Sequence, residues 1–232
     1  MDKSKTALLL INKKNAEKEI RKISTFGRYN ELDKSLRNIA EDDNIHHHYI
    51  HNLSDWTNNE IQLWSWLRSE ILRVTPREYR FLLYDTKVAK FNDHIEMGFP
   101  HTNGDVVYLT NTFITQMLGF YNKGDIENCM KTVGLVVYHE LIHIWQRKEP
   151  NFFKNLYAKW GFVKYTEILN FDKISNKSRY NPDGVSLEWC YKLNSGDEIL
   201  PISIYTEEAQ NISNVETLAI SIEKVGTSAI VS

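Results

Sequence analysis

A chain of 232 residues forms one generous domain or at most two small ones, and 42% hydrophobic with 12% aromatic residues is ample for a packed core. Its 28 basic and 30 acidic residues are spread along the chain and leave a formal charge of -2, so no basic tail or patch points to nucleic acid or anionic lipid. The two cysteines, Cys129 and Cys190, lie far apart without C-x-x-C spacing; they read as reduced thiols and not as zinc ligands.

The chain opens with one short apolar patch, Ala7 to Ile11, which is shorter than a signal-peptide core and runs into Asn12-Lys13-Lys14. No segment approaches the roughly 20 apolar residues of a membrane span. The expectation is a cytoplasmic protein with no membrane or nucleic-acid partner and an open oligomeric state. Residues from about Leu8 to Ala40 mix charges with scattered apolar positions and read as one or two amphipathic helices. A stronger helix follows, with Ser54 or Asp55 as cap. Trp56, Leu63, Leu67, Ile71 and Val74 fall within a stripe about 80° wide that stops before Pro76.

From Arg80 the period changes. Phe81 to Tyr84, Val88-Ala89, Ile95 to Phe99 and Val106 to Leu109 are strand-like runs, and Asn103-Gly104 marks a hairpin between the last two. They predict a small, mostly antiparallel sheet. Thr110 or Asn111 then caps a helix through Phe113, Met117 and Leu118 that Asn122-Lys123-Gly124 ends. Asp125 caps a long helix from about Ile126 to Arg147, with Pro150 beyond it.

That helix carries Val136-Val137-Tyr138-His139-Glu140-Leu141-Ile142-His143-Ile144-Trp145-Gln146, two histidines and a glutamate in an apolar run. Val136, Val137, Leu141, Ile142 and Ile144 cover most of its circumference, which predicts a central helix. Positions four apart lie about 40° apart around a helix axis, so His139 and His143 can present two imidazole nitrogens to one Zn2+ ion at about 2.0 to 2.1 Å. Glu140 sits about 100° round from His139 and is placed to take the proton from a zinc-bound water. The bland alternative makes the histidines core residues with ordinary partners and Glu140 an exposed helix position. A metal explains buried polar groups more economically.

This pattern resembles the H-E-x-x-H zinc metallopeptidases, the zincins, over about Phe81 to Arg147. The resemblance implies an edge strand that pairs with an extended peptide substrate, here Val106 to Thr110 or Ile95 to Phe99. The metzincin continuation is absent, because Gln146 and Glu149 occupy the positions of its glycine and third histidine. The gluzincin arrangement implies a third ligand from a later glutamate. The candidates are Glu207, Glu208 and Glu216. Glu216 is favoured because Val215 to Ile220 reads as the start of a helix capped by Ser213 or Asn214.

Hydrolysis on zinc generates an anionic oxygen that His101, Tyr205 or Tyr180 can meet with a hydrogen bond, although each has a plainer reading as a turn or core residue. His47 and His51 in the His46 to His51 cluster offer a second spaced pair, equally consistent with a solvated helix start. Asn181-Pro182-Asp183-Gly184 is a turn that can also shape a loop over a cleft. The combined expectation is a single α+β domain of zincin type, with residues 1–76 as a helical N-terminal part and residues 77–232 holding the sheet, the active-site helix and the C-terminal part. It would be a zinc metallopeptidase acting on a peptide or protein substrate, with His139, His143 and Glu216 as ligands and Glu140 as general base. The alternatives are a non-catalytic zinc-binding or interaction protein and a zinc hydrolase of a non-peptide amide.

Overall fold

A computed structural model describes residues 7–39, 44–165, 176–183 and 189–221, and the fold is of mixed α+β type. The chain divides into two compact units. The first holds the described residues up to Phe26 and from Asn44 to Lys148, and the second holds those of 27–39 and from Glu149 onward. None of the described helices is long and apolar enough to cross a membrane.

In the first unit the apolar patch near the N-terminus is a strand and not a helix. β1 (Leu9–Leu10) is followed by α1 (Lys13–Ile20), whose cap is the Asn12 side chain. The chain then passes through α2 (Glu31–Leu36), which belongs to the second unit, and returns as α3 (Ile45–His51) and β2 (Leu53–Ser54). α4 (Asn58–Val74) starts one turn later than the apolar stripe suggested. Thr57 and Glu60 form a reciprocal capping box that satisfies two of the free N–H groups at the helix start. Leu63, Trp64, Leu67 and Ile71 are its buried face, and Val74 lies outside it.

The expected strand at Phe81 to Tyr84 is instead part of a 3-10 turn over Arg77–Leu82. β3 (Lys87–Phe91), β4 (His101–Asn103) and β5 (Val106–Thr110) form the body of the sheet. The run Ile95 to Phe99 is not a strand either. Glu96, Met97 and Gly98 take φ of 47°, 55° and 77°, left-handed values that no extended strand contains. The hairpin at Asn103-Gly104 is present, but its partners are β4 and β5.

The sheet is mixed, not mostly antiparallel. Its order is β1-β3-β5-β4, with β2 also on β3; β1 and β5 run parallel to β3, and only β2 and β4 are antiparallel to their neighbours. Successive side chains on a strand point to opposite faces. On one face Val88, Val107 and Leu109 share a core with Leu67 and Ile71 of α4 and with Val137, Leu141 and Ile144. On the other, Phe91 and Tyr108 stack, and Tyr49 of α3 packs its ring against Phe91.

α5 (Asn111–Lys123) is capped by Thr110 and ends at Gly124, whose φ of 66° is the left-handed closure a glycine makes cheaply. Asp125 caps α6 (Ile126–Cys129), and after a π-helical turn at Met130–Gly134 the helix continues as α7 (Leu135–Lys148). The long helix of the sequence is therefore present with a widened turn in its middle. Extra residues of this kind inside α-helices shift the phase of everything downstream and recur at functional sites.

The second unit contains α2, α8 (Pro150–Lys159) and an antiparallel sheet of β6 (Phe162–Lys164), β7 (Trp189–Lys192), β8 (Glu198–Tyr205) and β9 (Val215–Ser221), in that order. The segment read as a helix around Glu216 is β9, paired residue for residue with β8 from Tyr205↔Val215 to Ile199↔Ser221.

Candidate metal centre

α7 has a single buried face. Val137, Glu140, Leu141 and Ile144 turn inward, while Leu135 and Ile142 are 61% and 44% exposed, so the helix is not apolar all round. Burying side chains such as Leu141 and Ile144 stabilises the packing by about 1.5 to 3 kcal/mol each. Two further anchors fix its position. Near its start the Tyr138 hydroxyl meets the Thr75 hydroxyl and donates to the Ile71 carbonyl at 3.3 Å. At its end the Arg147 guanidinium donates to Thr102 Oγ1 at 2.7 Å and to the Gly104 carbonyl at 3.0 Å, and Lys148 pairs with Asp105 at 3.3 Å. The C-terminal turn of α7 is thereby tied to the β4–β5 hairpin.

On this rigid helix the two histidines converge. Nε2 of His139 lies 3.0 Å from Nε2 of His143, and the rings stand at 86° with centroids 4.6 Å apart. An ion at the usual zinc–imidazole distance of about 2.05 Å from both nitrogens would see them at about 94°, an opening angle close to the tetrahedral range. Nδ1 of His143 lies 2.8 Å from Oε1 of Gln146. Glu140, between the two histidines in sequence, is 3% exposed. This departs from the bland alternative: His139 is exposed, His143 is half-buried and the glutamate is buried. A carboxylate removed from water costs several kcal/mol unless partners hold it, which makes it a poor packing residue. The two converging imidazole nitrogens fit two positions around a zinc ion. Among the described residues no three His, Cys, Asp or Glu side chains come together as a group.

No protein-family model, curated protein or solved structure matches the chain.

The other expected site residues are placed as follows. His101 is on β4, where it pairs with Tyr108 and stacks on Tyr108 and Phe91 at centroid distances of 5.3 and 5.6 Å. Its neighbour Thr102 meets Arg147 of α7, so alternation puts His101 on the opposite face of the sheet, with the strand between it and α7. The edge strand is also reassigned. Among the described strands β5 is interior, between β3 and β4, and β4 is the edge. Tyr205 lies in the second unit with its hydroxyl engaged: it donates to Asp33 Oδ1 at 2.7 Å and accepts from Arg37 Nη1 at 3.1 Å. Burial holds its phenol well above the ordinary range, with Arg37 opposing and Asp33 adding to the effect.

Tyr180 contributes its backbone to the same network: its N–H donates to Asp33 at 3.1 Å and its carbonyl accepts from Arg37 at 2.9 Å. Glu216 lies on β9 opposite Ile204, so the helical argument for it as third ligand no longer holds, and Glu207 and Glu208 are exposed turn residues of the same unit. Both cysteines are buried, and burial pushes each thiol up to about 11, the wrong direction for a thiolate ligand. In the Asn181 to Gly184 turn, the Asp183 N–H donates to Asn181 Oδ1 at 3.3 Å; Gly184 lies outside the described residues. The contact of Gln146 with His143 was not foreseen from the sequence, where Gln146 is noted only as a departure from the metzincin pattern. Its signal was its position, one turn beyond His143 on the same helix.

Proposed function

We propose that the protein is a zinc-dependent hydrolase of peptide bonds, with the metal held by His139 and His143. The observation that carries this reading is the convergence of the two Nε2 atoms to 3.0 Å, with Glu140, next in the chain to His139, 3% exposed. A zinc ion there would act as a Lewis acid, lowering the pKa of a water to about 7 and polarising the scissile carbonyl. Glu140 is the base: its carboxylate takes the proton of the attacking water and delivers it to the leaving nitrogen. β4 is antiparallel to β5 and forms the edge of the sheet on the side held to α7 by Arg147, which supports adding an extended peptide as one more strand. The third protein ligand is left to substitution, with Glu216, Glu208 and Glu207 as the glutamates to try.

The test is zinc content after metal repletion, followed by turnover of a mixed peptide library, for the wild type and for Glu140→Gln and Glu216→Ala. The reading expects about one zinc per chain, kept in Glu140→Gln while hydrolysis falls by about 10²- to 10⁴-fold. A wild type that takes up no zinc, or a Glu140→Gln variant as active as wild type, rules it out. Zinc that survives Glu216→Ala removes Glu216 as the third ligand.

A further inference from the structure

We propose that Gln146 is the positioning residue of the metal pair, its amide oxygen fixing the His143 ring in the tautomer and orientation that present Nε2 to the ion. The proposal rests on the reading of His139 and His143 as ligands. It adds a residue that the H-E-x-x-H pattern does not contain.

The argument starts at the 2.8 Å contact between His143 Nδ1 and Gln146 Oε1. An amide oxygen only accepts hydrogen bonds, so the ring hydrogen of His143 sits on Nδ1 and Nε2 keeps its lone pair. A neutral imidazole in water prefers the opposite arrangement, with hydrogen on Nε2, and that form cannot bind a metal through Nε2. The hydrogen bond therefore selects the ligating form before any ion arrives. His139 completes the pair. With hydrogen on Nδ1 of His143, its Nε2 lone pair faces His139 Nε2 across 3.0 Å and accepts the His139 hydrogen in the metal-free chain; for His139 to ligate through Nε2, that hydrogen would move to its own Nδ1 by way of solvent.

Gln146 is well held for this task. Residues three apart on a helix are surface neighbours, so the amide reaches the ring without leaving the helix. Residues on either side of it are anchored: Trp145 packs edge-on against Phe81 at 5.7 Å, and Arg147 is tied to Thr102 and Gly104. An amide also differs from the carboxylate often found in this position around metals. It orients the ring without adding negative charge, so the imidazole is a weaker donor and the ion keeps more of its Lewis acidity. Replacing the amide by a carboxylate should tighten the metal, and removing the acceptor should loosen it.

The experiment titrates zinc into the metal-free full chain against a chromophoric chelator, for wild type, Gln146→Leu, Gln146→Glu and His143→Ala. Gln146→Leu is expected to weaken zinc by about 10- to 100-fold, and Gln146→Glu to bind at least as tightly as wild type. In parallel, nitrogen-15 NMR of the metal-free chains reads the His143 tautomer: hydrogen on Nδ1 in wild type, shifted toward Nε2 in Gln146→Leu, with circular dichroism unchanged. An affinity for Gln146→Leu within about twofold of wild type, well short of the usual outer-shell loss, overturns the proposal. So does a tautomer that ignores the substitution. Failure of the ligand reading looks different: zinc binding that survives His143→Ala, or none in wild type, while the tautomer measurement still decides whether Gln146 orients the ring.

Discussion

Two histidine pairs in the first unit share the same spacing and differ in geometry. His47 and His51 sit four apart on α3, a helix of seven residues, with both rings exposed, centroids 6.3 Å apart and ring planes at 37°. His139 and His143 sit four apart on α7, with centroids at 4.6 Å, planes at 86° and the Nε2 atoms 3.0 Å apart. Spacing brings two rings to one face of a helix; converging their nitrogens needs ring orientations that the surroundings must hold. On α7 those surroundings are a buried helix face, anchors at both ends and Gln146 against His143. On α3 the neighbouring His46 is engaged otherwise, Nε2 with the Ile23 carbonyl at 2.8 Å and Nδ1 with Asn44 Oδ1 at 3.1 Å.

The largest expected effect breaks the comparison directly. His143→Ala should cost roughly 10³-fold in zinc affinity, the share of one ligand in a three- or four-ligand site, and His51→Ala should leave affinity within about twofold. Chelator competition measures both, and equal losses would make the two pairs alike. Next comes the rooting of α7. Leu141 is fully buried in the core shared with Val107 and Leu109, so Leu141→Ala should destabilise the protein by about 2 to 5 kcal/mol. Ile142→Ala, one residue on and 44% exposed, should stay within about 0.5 kcal/mol in urea unfolding. Similar losses at the two positions would mean that α7 is not one-sided.

A smaller effect separates structural from chemical tyrosines. Tyr205→Phe removes the hydrogen bond to the ion-paired Asp33 and should cost about 1 to 3 kcal/mol of stability, with zinc affinity at His139 and His143 unchanged. Turnover that falls as far as in Glu140→Gln, at unchanged stability, would return Tyr205 to the catalytic set.

The smallest concerns acid. Lys90 on β3 donates to both carboxylate oxygens of Glu60, at 2.7 and 2.9 Å, next to the cap of α4. Burial works against the Glu60 charge, but the bonds from Lys90 and Thr57 prevail and its pKa is lowered from 4.5. A folded-state value below the unfolded one means that the unfolded chain binds more protons in that range, so the contribution is present above the ordinary glutamate pKa and is lost as pH falls below it. Urea midpoints at pH 7 and pH 4 should therefore differ less in Glu60→Gln than in wild type. An equal difference would place the acid sensitivity elsewhere.

Local signals were legible in the sequence wherever the stabilising partner is also local. The Asp125 cap, the Thr110 cap with its Gly124 stop and the Asn103-Gly104 turn are each decided within a few residues, and all three are where the pattern puts them. Segments whose partner is remote were misread. Ala7 to Ile11 needed β3 as a parallel neighbour, and Val215 to Ser221 needed β8; without those partners a short apolar run fits helix and strand alike. Ile95 to Phe99 failed for another reason: three consecutive left-handed residues end any strand, and only Gly98 among them announces such a conformation.

By itself the sequence determined that His139 and His143 lie one turn apart on one helix with Glu140 between them in the chain, because helical spacing is a property of the chain alone. Tertiary structure decided which way each member faces. Packing of Val137, Leu141 and Ile144 on the sheet buries Glu140 and leaves His139 exposed and His143 half-buried, and strand pairing makes β4 the edge of the described sheet and sends His101 to the far face. Which face is inside depends on what packs against it, and those neighbours come from residues far away in the chain.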